Sequence, residues 1–324
     1  RDSSTAYANH NLGWYYQVRA KQDSSYYHYF KARKLYRQLN DKRNEGEVLL
    51  NMVSIQLAEK DYVGAENNAI EAIKLIDQLP KTDHNLDTMW SLNNSLGLIS
   101  SYLELYEKAI EYYQKSLEFV KGFSNYHDYE DLTLNNIGVS YLDLEQYSKA
   151  LDVYNRLLSK EYIKEEDPSL YATILNNLAN AKYKSNKNYN YNEVESLFSK
   201  ALEISISIQD PISECIISLD LAEFYISNSK FEEANLLVDK SLNLSKETNS
   251  SVNTIAALKL KANLEKGEKG KTYFNLYSKL NDSLINKERA IRNKFARIEF
   301  ETDEIKAENV QISKERLILS LIHI

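Results

Sequence analysis

Few side chains in this sequence have the types and spacing that catalysis or metal binding requires. Gly270-Lys271-Thr272 matches the end of a phosphate-binding loop, but that loop needs a glycine five residues earlier, where Glu265 stands. No two of the five histidines are four residues apart, so no pair can bind zinc from one helix face. His127-Asp128 has no serine in a nucleophile-elbow motif to complete a triad. We therefore expect no catalytic residue, no metal and no cofactor, and a chain that is not an enzyme.

A row of side-chain amides is the better candidate for a site. Equivalent positions, roughly 40 residues apart, are occupied by Asn11, Asn51, Ser95, Asn136, Asn177, Asp220 and Leu258. An asparagine offers both a donor and an acceptor, and an extended peptide presents N–H and C=O groups at regular intervals. The sequence therefore predicts peptide binding by Asn11, Asn51, Asn136, Asn177 and Asp220.

Two points about this row stay open at the level of sequence. In the alternative interpretation these side chains bond the adjacent repeat or face water. Asn94, Asn135 and Asn176 stand one residue earlier in their units, and they either join the row or face a neighbouring helix.

The spacing of the row reflects a repeat of the whole sequence. In the clearest units a small residue is followed twelve positions later by another, as in Gly97 and Ala109, or Gly138 and Ala150. An aromatic residue stands three positions before the second small residue. The seven anchors lie at residues 13, 53, 97, 138, 179, 222 and 260. Small residues let two helix axes approach and aromatic rings fill the adjacent space, so each unit is predicted to be a helical hairpin.

Composition and charge agree with stacked helices. The 324 residues include only 8 Gly and 3 Pro, too few for the many turns of a β-sandwich or barrel. The hydrophobic content of 43% is enough for a buried core. The formal net charge of -7 makes this segment unlike the basic surfaces that direct nucleic-acid binding normally uses.

The repeat frame resembles the tetratricopeptide repeat, with Leu-Gly, then Tyr, then Tyr-x-x-Ala, then Tyr-x-x-Ala-Leu. The resemblance covers about residues 5–283 and implies an all-α solenoid of about seven hairpins with a peptide or protein ligand in its concave groove. Two departures stand out. The period averages about 41 residues rather than the family's 34, and the proline that usually ends each repeat is missing.

A different pattern follows residue 283. Leu284, Ile291, Ile298, Ile305, Ile312 and Leu319 are spaced by seven, with Phe295 between the second and third. A strict heptad predicts a long, coiled-coil-like helix over 284–316 that supercoils left-handedly. The residues predicted to form a homodimer through this helix are Ile291, Phe295, Ile298, Ile305 and Ile312. The alternative is a helix packed back on the last repeat.

The last eight residues, 317–324, are mostly apolar. Spanning a bilayer takes about 20 such residues, so this segment is predicted to be either an ordinary helix end or the start of a membrane helix continuing beyond Ile324. The expected domain order is thus a repeat array at 1–283, the heptad helix at 284–316 and the apolar end at 317–324.

The segment from Asp282 to Ile305 resembles the end of the repeat sensor region in membrane-anchored bacterial regulators typical of the Bacteroidetes. The resemblance implies a periplasmic array in the cell envelope, one membrane helix and a cytoplasmic output, either a histidine kinase or a LuxR-type regulator, outside this segment. The leading hypothesis is a ligand-binding sensor region for signal transduction or transcription regulation. The alternative is a soluble, cytoplasmic scaffold or adaptor with no membrane link.

Overall fold

The computed structural model describes residues 2–122, 127–185 and 188–322; the side chains of 288–289, 291–293 and 304–322 are outside that description. The described residues form fifteen α-helices without a β-strand. The predicted all-α class is confirmed.

Fourteen of these helices form the seven predicted hairpins, and every anchor lies in the first helix of its pair. The pairs are α1 (Asp2–Gln17) with α2 (Gln22–Gln38), α3 (Lys42–Ala58) with α4 (Tyr62–Ile76), α5 (Asp83–Tyr102) with α6 (Tyr106–Val120), α7 (His127–Asp143) with α8 (Tyr147–Leu158), α10 (Pro168–Ser185) with α11 (Tyr191–Ser207), α12 (Pro211–Ser227) with α13 (Phe231–Glu247), and α14 (Ser251–Leu264) with α15 (Gly267–Ile322).

Two features of the helices were not expected. A five-residue helix, α9 (Tyr162–Glu166), stands between the fourth and fifth hairpins and buries Ile163. The last helix, α15, runs for 56 residues without interruption. The second helix of the seventh hairpin and the predicted heptad helix are therefore one element, and the expected domain boundary at residue 283 is not a helix end. Gly270-Lys271-Thr272 lies inside this helix.

Polar side chains start many of the helices. Asp210 accepts backbone N–H bonds from Ile212 and Ser213 at 3.1 Å each, directly before Pro211 at the first turn of α12. Such a cap satisfies amide groups that have no partner inside the helix. Equivalent side-chain caps are made by Asp41, Asp61, Thr82, Asn190 and Ser250.

The close approach of paired helices requires the small anchors. A Cβ atom placed on Gly138 would come within 2.7 Å of the ring of Tyr154 in α8, and one on Gly13 within 2.5 Å of the Tyr29 ring in α2. Both tyrosine side chains are fully buried. The aromatic residue of each of these hairpins thus fills the space that its glycine leaves open.

The chain folds into two compact units. Unit 1 contains Arg1–Glu104, Gln114–Ser124 and Lys287–Ile324, and unit 2 contains Leu105–Tyr113 and Asn125–Asn286. The core of unit 1 includes Tyr26, Tyr29, Phe30, Met52 and Phe295.

Unit 2 has its own core. Phe198 and Phe224 pack there with ring centroids 5.6 Å apart, and Cys215, Ala222 and Leu258 belong to a neighbouring cluster.

Within unit 1, α15 packs against the first hairpin. Phe295 is only 1% exposed, and its ring centroid lies 4.3 Å from that of Tyr26 in α2. The Tyr26 hydroxyl donates to Glu299 Oε1 at 2.7 Å. Lys294 Nζ lies 2.5 Å from Asp23 Oδ1 and 3.4 Å from Glu59 Oε2. Apolar burial and ion pairs therefore hold this part of α15 on α2 and the end of α3.

Candidate functional site

The polar row lies on the first helices of the hairpins, as the repeat frame requires. In unit 2, Asn136 on α7, Asn177 on α10 and Asp220 on α12 are all half-buried, and α10 contacts both α7 and α12. In unit 1, Asn51 on α3 is half-buried and Asn11 on α1 is exposed. The structure thus brings three of the five predicted residues onto consecutive, touching helices.

Amide hydrogen bonds connect α7 and α10. Asn177 Nδ2 donates to Asn135 Oδ1 at 3.2 Å. Asn135 is buried and directly precedes the half-buried Asn136. Part of the row therefore bonds the adjacent repeat, which is what the alternative interpretation of these asparagines expects.

Asp220 is the centre of the row's second link, between α10 and α12. Its Oδ2 accepts from Asn176 Nδ2 at 2.6 Å and from Asn180 Nδ2 at 2.8 Å. Burial raises the pKa of the Asp220 carboxyl, and the two amide donors lower it in part. The Asp220 carboxylate is thus partly shielded from water, and the two amide N–H donors stabilise its charged form.

The same two amides leave acceptors unsatisfied. The Oδ1 atoms of Asn176 and Asn180 are buried and have no hydrogen-bond partner among the described residues. Because an ionised carboxylate only accepts, both amides must turn their NH₂ groups to Asp220, and their oxygens then point elsewhere.

Two more carboxyl groups give this surface an acidic character. Burial raises the pKa of Glu223 on α12, and the charge of Asp220 raises it further, whereas Lys184 and Lys259 lower it. Burial also raises the pKa of Asp143 on α7, and the charge of Lys184 lowers that pKa in part. Burial disfavours the ionised form of these carboxyl groups, and an additional cation nearby would stabilise that ionised form.

In unit 1 the row has a different neighbour. Asn51 Nδ2 lies 3.2 Å from His10 Nε2, between α3 and α1. Burial lowers the pKa of His10, although the charge of Glu47 raises it in part. Asn51 therefore has an imidazole partner in its own unit, while Asn11 is exposed beside His10 in the sequence.

The heptad residues have mixed positions. Phe295 and Ile298 pack into the unit 1 core, so this part of the helix packs on the first hairpin rather than on the last repeat. The side chains of Ile291, Ile305 and Ile312 lie outside the described residues, as do those of the apolar end at 317–324. The dimer seam remains a prediction.

Three participants in the unit 2 surface were not expected from the sequence. Asn180 lies four residues after Asn176 and hence on the same face of α10, a spacing that could have marked it. Lys184 continues the same series. Glu223 lies three residues after Asp220 and hence on the same face of α12, so the same kind of spacing could have marked it.

Neither metal ligation nor membrane crossing is indicated in the part of the chain that the structure describes. Those residues contain no cluster of three or more His, Cys, Asp or Glu side chains suited to a metal ion. The described residues also form no helix both long and apolar enough to cross a membrane.

Comparison with known proteins supports the repeat assignment. Residues 87–159 match the family model described as tetratricopeptide repeat. No curated protein matches the chain.

Solved structures show the same fold at low identity. The apo form of RapI is 19% identical with a TM-score of 0.68, over 90% of this chain and 98% of RapI. The Rap conjugation gene regulator of plasmid pLS20, solved with the Phr* peptide, is 14% identical with a TM-score of 0.61, over 87% of this chain and 74% of the regulator. A Rap protein complexed with Competence and Sporulation Factor is 12% identical with a TM-score of 0.59, over 96% of this chain and 98% of that protein.

Together, the seven hairpins, the family match over residues 87–159 and these structural similarities give one conclusion: the described part of the chain has an all-α fold of the tetratricopeptide-repeat type.

Proposed function

We propose that this protein binds a peptide or a protein segment through the polar surface of unit 2. The observation that carries the proposal is the set of Asn136, Asn177 and Asp220 on three consecutive, touching first helices, each half-buried. Two structurally similar Rap proteins have been solved with bound partners, the Phr* peptide and Competence and Sporulation Factor. These similarities support the choice of a binding role over catalysis.

The chemistry of the surface favours an extended ligand with a cationic group. Asparagine amides pair with backbone N–H and C=O groups without reading side chains. A lysine or arginine side chain would offset the charges of the half-buried Asp220 and the exposed Glu223, whose pKa values are raised.

The test uses a library of capped hexapeptides with one fixed position, with binding read by fluorescence anisotropy. We expect peptides with Lys or Arg to bind, and the Asn136→Ala/Asn177→Ala variant to weaken that binding by roughly tenfold or more. Asn155→Ala is the matched control, because Asn155 is exposed on α8 of the same hairpin as Asn136. Unchanged affinity in a double variant with a native circular dichroism spectrum would remove the proposal.

A finer proposal concerns the setting of this binding. The chain acts as the sensor region of a membrane-anchored bacterial regulator, and α15 passes a positional change to a membrane segment after Ile324. The apolar composition of 317–324 and the length of α15 support it. Sequencing roughly 30 further codons tests it: an apolar run followed by a kinase or helix-turn-helix region supports it. A stop codon leaves the soluble scaffold or adaptor as the function.

Homodimerisation through the heptad row is the third part of the proposal. Since Phe295 is buried in its own chain, the seam would rest on Ile291, Ile305 and Ile312. Sedimentation equilibrium at tens of micromolar protein tests it. A monomer throughout that range contradicts it, whereas a dimer abolished by Ile305→Glu supports it.

A further inference from the structure

A cavity beside the seventh hairpin has no part in the peptide-binding surface. It has a volume of about 700 Å³ and lies between the second half of α13, the first part of α14 and residues 273–283 in the first third of α15. These lining residues all belong to unit 2. Pockets that hold small ligands have volumes of about 300–1,000 Å³. The cavity therefore has the size of a site for a small molecule.

The interior of the cavity is mainly apolar. Leu242 and Leu258 come from the buried core, and Tyr273 and Leu280 pack against it. Leu276 lines the same cavity and is 48% exposed, so apolar surface continues from the core to solvent. Covering this surface with an aliphatic group would remove it from water.

The charged side chains that line the cavity give its rim a net positive charge. Asp239 is the acidic residue among them, and its Oδ1 lies 2.5 Å from Lys261 Nζ, so its charge is already compensated. Lys246 and Lys279 are exposed and line the cavity from α13 and α15. In the described part of the chain, neither has an ion pair. Two uncompensated ammonium groups beside an apolar space complement an anion attached to an aliphatic chain.

We infer that this cavity binds a single-chain amphiphile with an anionic head group, its chain against Leu242, Leu258 and Leu276 and its head between Lys246 and Lys279. The positively charged rim argues for this ligand over a neutral apolar molecule. A peptide helix would need an extended groove, whereas this cavity is small, so its shape argues against such a ligand.

The experiment uses isothermal titration of the full chain with sodium dodecanoate below its micelle concentration. We expect saturable binding of one dodecanoate per chain, and weaker binding of 1-dodecanol, which has the same chain without the charge. Absence of saturable dodecanoate binding, or equal affinity for the alcohol, would overturn the inference. Dodecyl phosphate in a parallel titration distinguishes a preference for carboxylate from a preference for any anionic head group.

Variants locate the site. Leu276→Glu is expected to weaken dodecanoate binding at least about tenfold, because it places a charge in the apolar wall. Lys246→Gln/Lys279→Gln alters only exposed side chains and is expected to weaken binding about fivefold. Phe274→Glu is the matched control: Phe274 is 57% exposed on the same helix and does not line the cavity.

Equal loss in Leu276→Glu and Phe274→Glu would overturn the assignment of the site, as would full affinity in the double lysine variant. If the wild-type chain instead associates with itself in sedimentation and Leu276→Glu abolishes that association, a second copy covers the cavity and the amphiphile proposal fails.

Discussion

At the scale of single residues, two buried tyrosines in equivalent places differ in one hydrogen bond. Tyr29 and Tyr154 each stand sixteen positions after an anchor glycine. The Tyr29 hydroxyl donates to Gln17 Oε1 at 2.8 Å, whereas the Tyr154 hydroxyl is buried without a partner among the described residues. A buried polar group that lacks a hydrogen bond keeps its desolvation cost.

This difference predicts opposite results for the same substitution. Tyr154→Phe should leave the free energy of unfolding unchanged or raise it by up to about 1 kcal/mol, while Tyr29→Phe should lower it by about 1 kcal/mol. Urea unfolding followed by circular dichroism measures both. A loss in Tyr154→Phe as large as that in Tyr29→Phe would mean that the Tyr154 hydroxyl is hydrogen-bonded after all.

The Asp220 carboxyl makes stability depend on pH. Because burial raises its pKa in the folded chain, the unfolded chain ionises at a lower pH, and the free energy of unfolding falls as pH rises from the unfolded pKa to the folded one. Asp220→Asn keeps the acceptor for Asn176 and Asn180 but removes the charge. We expect this variant to be more stable than the wild-type chain at pH 7 and equally stable near pH 3, in thermal melts at both pH values. Lower stability of the variant at pH 7 would contradict the buried-charge argument.

At the scale of helices and turns, the shortage of glycine has a structural cost. Among the described residues, eight that are not glycine have a positive φ, all in turns between helices; they are Ala20, Asn40, Lys60, Glu104, Glu145, Gln209, Ser229 and Asn249. After α7 the N–H of Gln146 bonds the carbonyl of Tyr141 at 2.8 Å, directly behind Glu145. This is the helix-ending pattern in which glycine is usually preferred.

Glu145→Gly should therefore stabilise the fourth hairpin. Glycine removes the steric cost of the left-handed conformation, about 1–2 kcal/mol, which exceeds the entropic cost of ordering glycine. We therefore expect the free energy of unfolding to rise by about 0.5–1 kcal/mol. Glu145→Ala keeps the steric cost and should change the free energy of unfolding little. The change in urea midpoint measures both, and equal gains in the two variants would show that the Glu145 side chain, not its φ, is responsible.

The elements themselves were largely predictable from the sequence, but their ends were not. Small anchors and aromatics at fixed offsets located three hairpins clearly, because the packing of paired helices demands them. The other four fitted the frame less cleanly, and Val53 and Leu260 stand there at two of the anchor positions. The short helix α9 carries only one buried residue, Ile163, too few for a periodic signal. The expected boundary at 283 does not coincide with a helix end. The spacing of apolar residues changes there from the repeat pattern to the heptad pattern, and the helix continues through the change.

The candidate site was predictable in part for a related reason. The repeat frame located Asn136, Asn177 and Asp220 on equivalent turns. It could not show that Asp220 would pair with Asn176 and Asn180, because that pairing depends on the distance between α10 and α12, which local sequence does not contain. Likewise, the heptad predicted Phe295 to lie in a dimer seam, and it could not show that Phe295 packs against the Tyr26 ring of its own chain.

At the scale of the whole molecule, the first hairpin and the part of α15 around Phe295 meet inside unit 1. The hydrogen bond from Tyr26 to Glu299 joins residues 273 positions apart, and Phe295 lies in the same core as Tyr29 and Met52. The described clusters of unit 2 contain no residue after Asn286. Loss of the α15 contact should therefore be felt locally rather than throughout the chain.

Phe295→Ala tests this locality. Removing a buried ring typically costs about 3–5 kcal/mol, so we expect faster amide hydrogen exchange in α2 and in residues 294–303, with α12 unchanged. Phe300→Ala is the matched control, since Phe300 is 61% exposed on the same helix. Hydrogen exchange with mass spectrometry resolves these helices separately. If α2 and α12 lost protection together in Phe295→Ala, the two units would unfold as one, and the core formed by α15 and the first hairpin would support the entire chain rather than unit 1 alone.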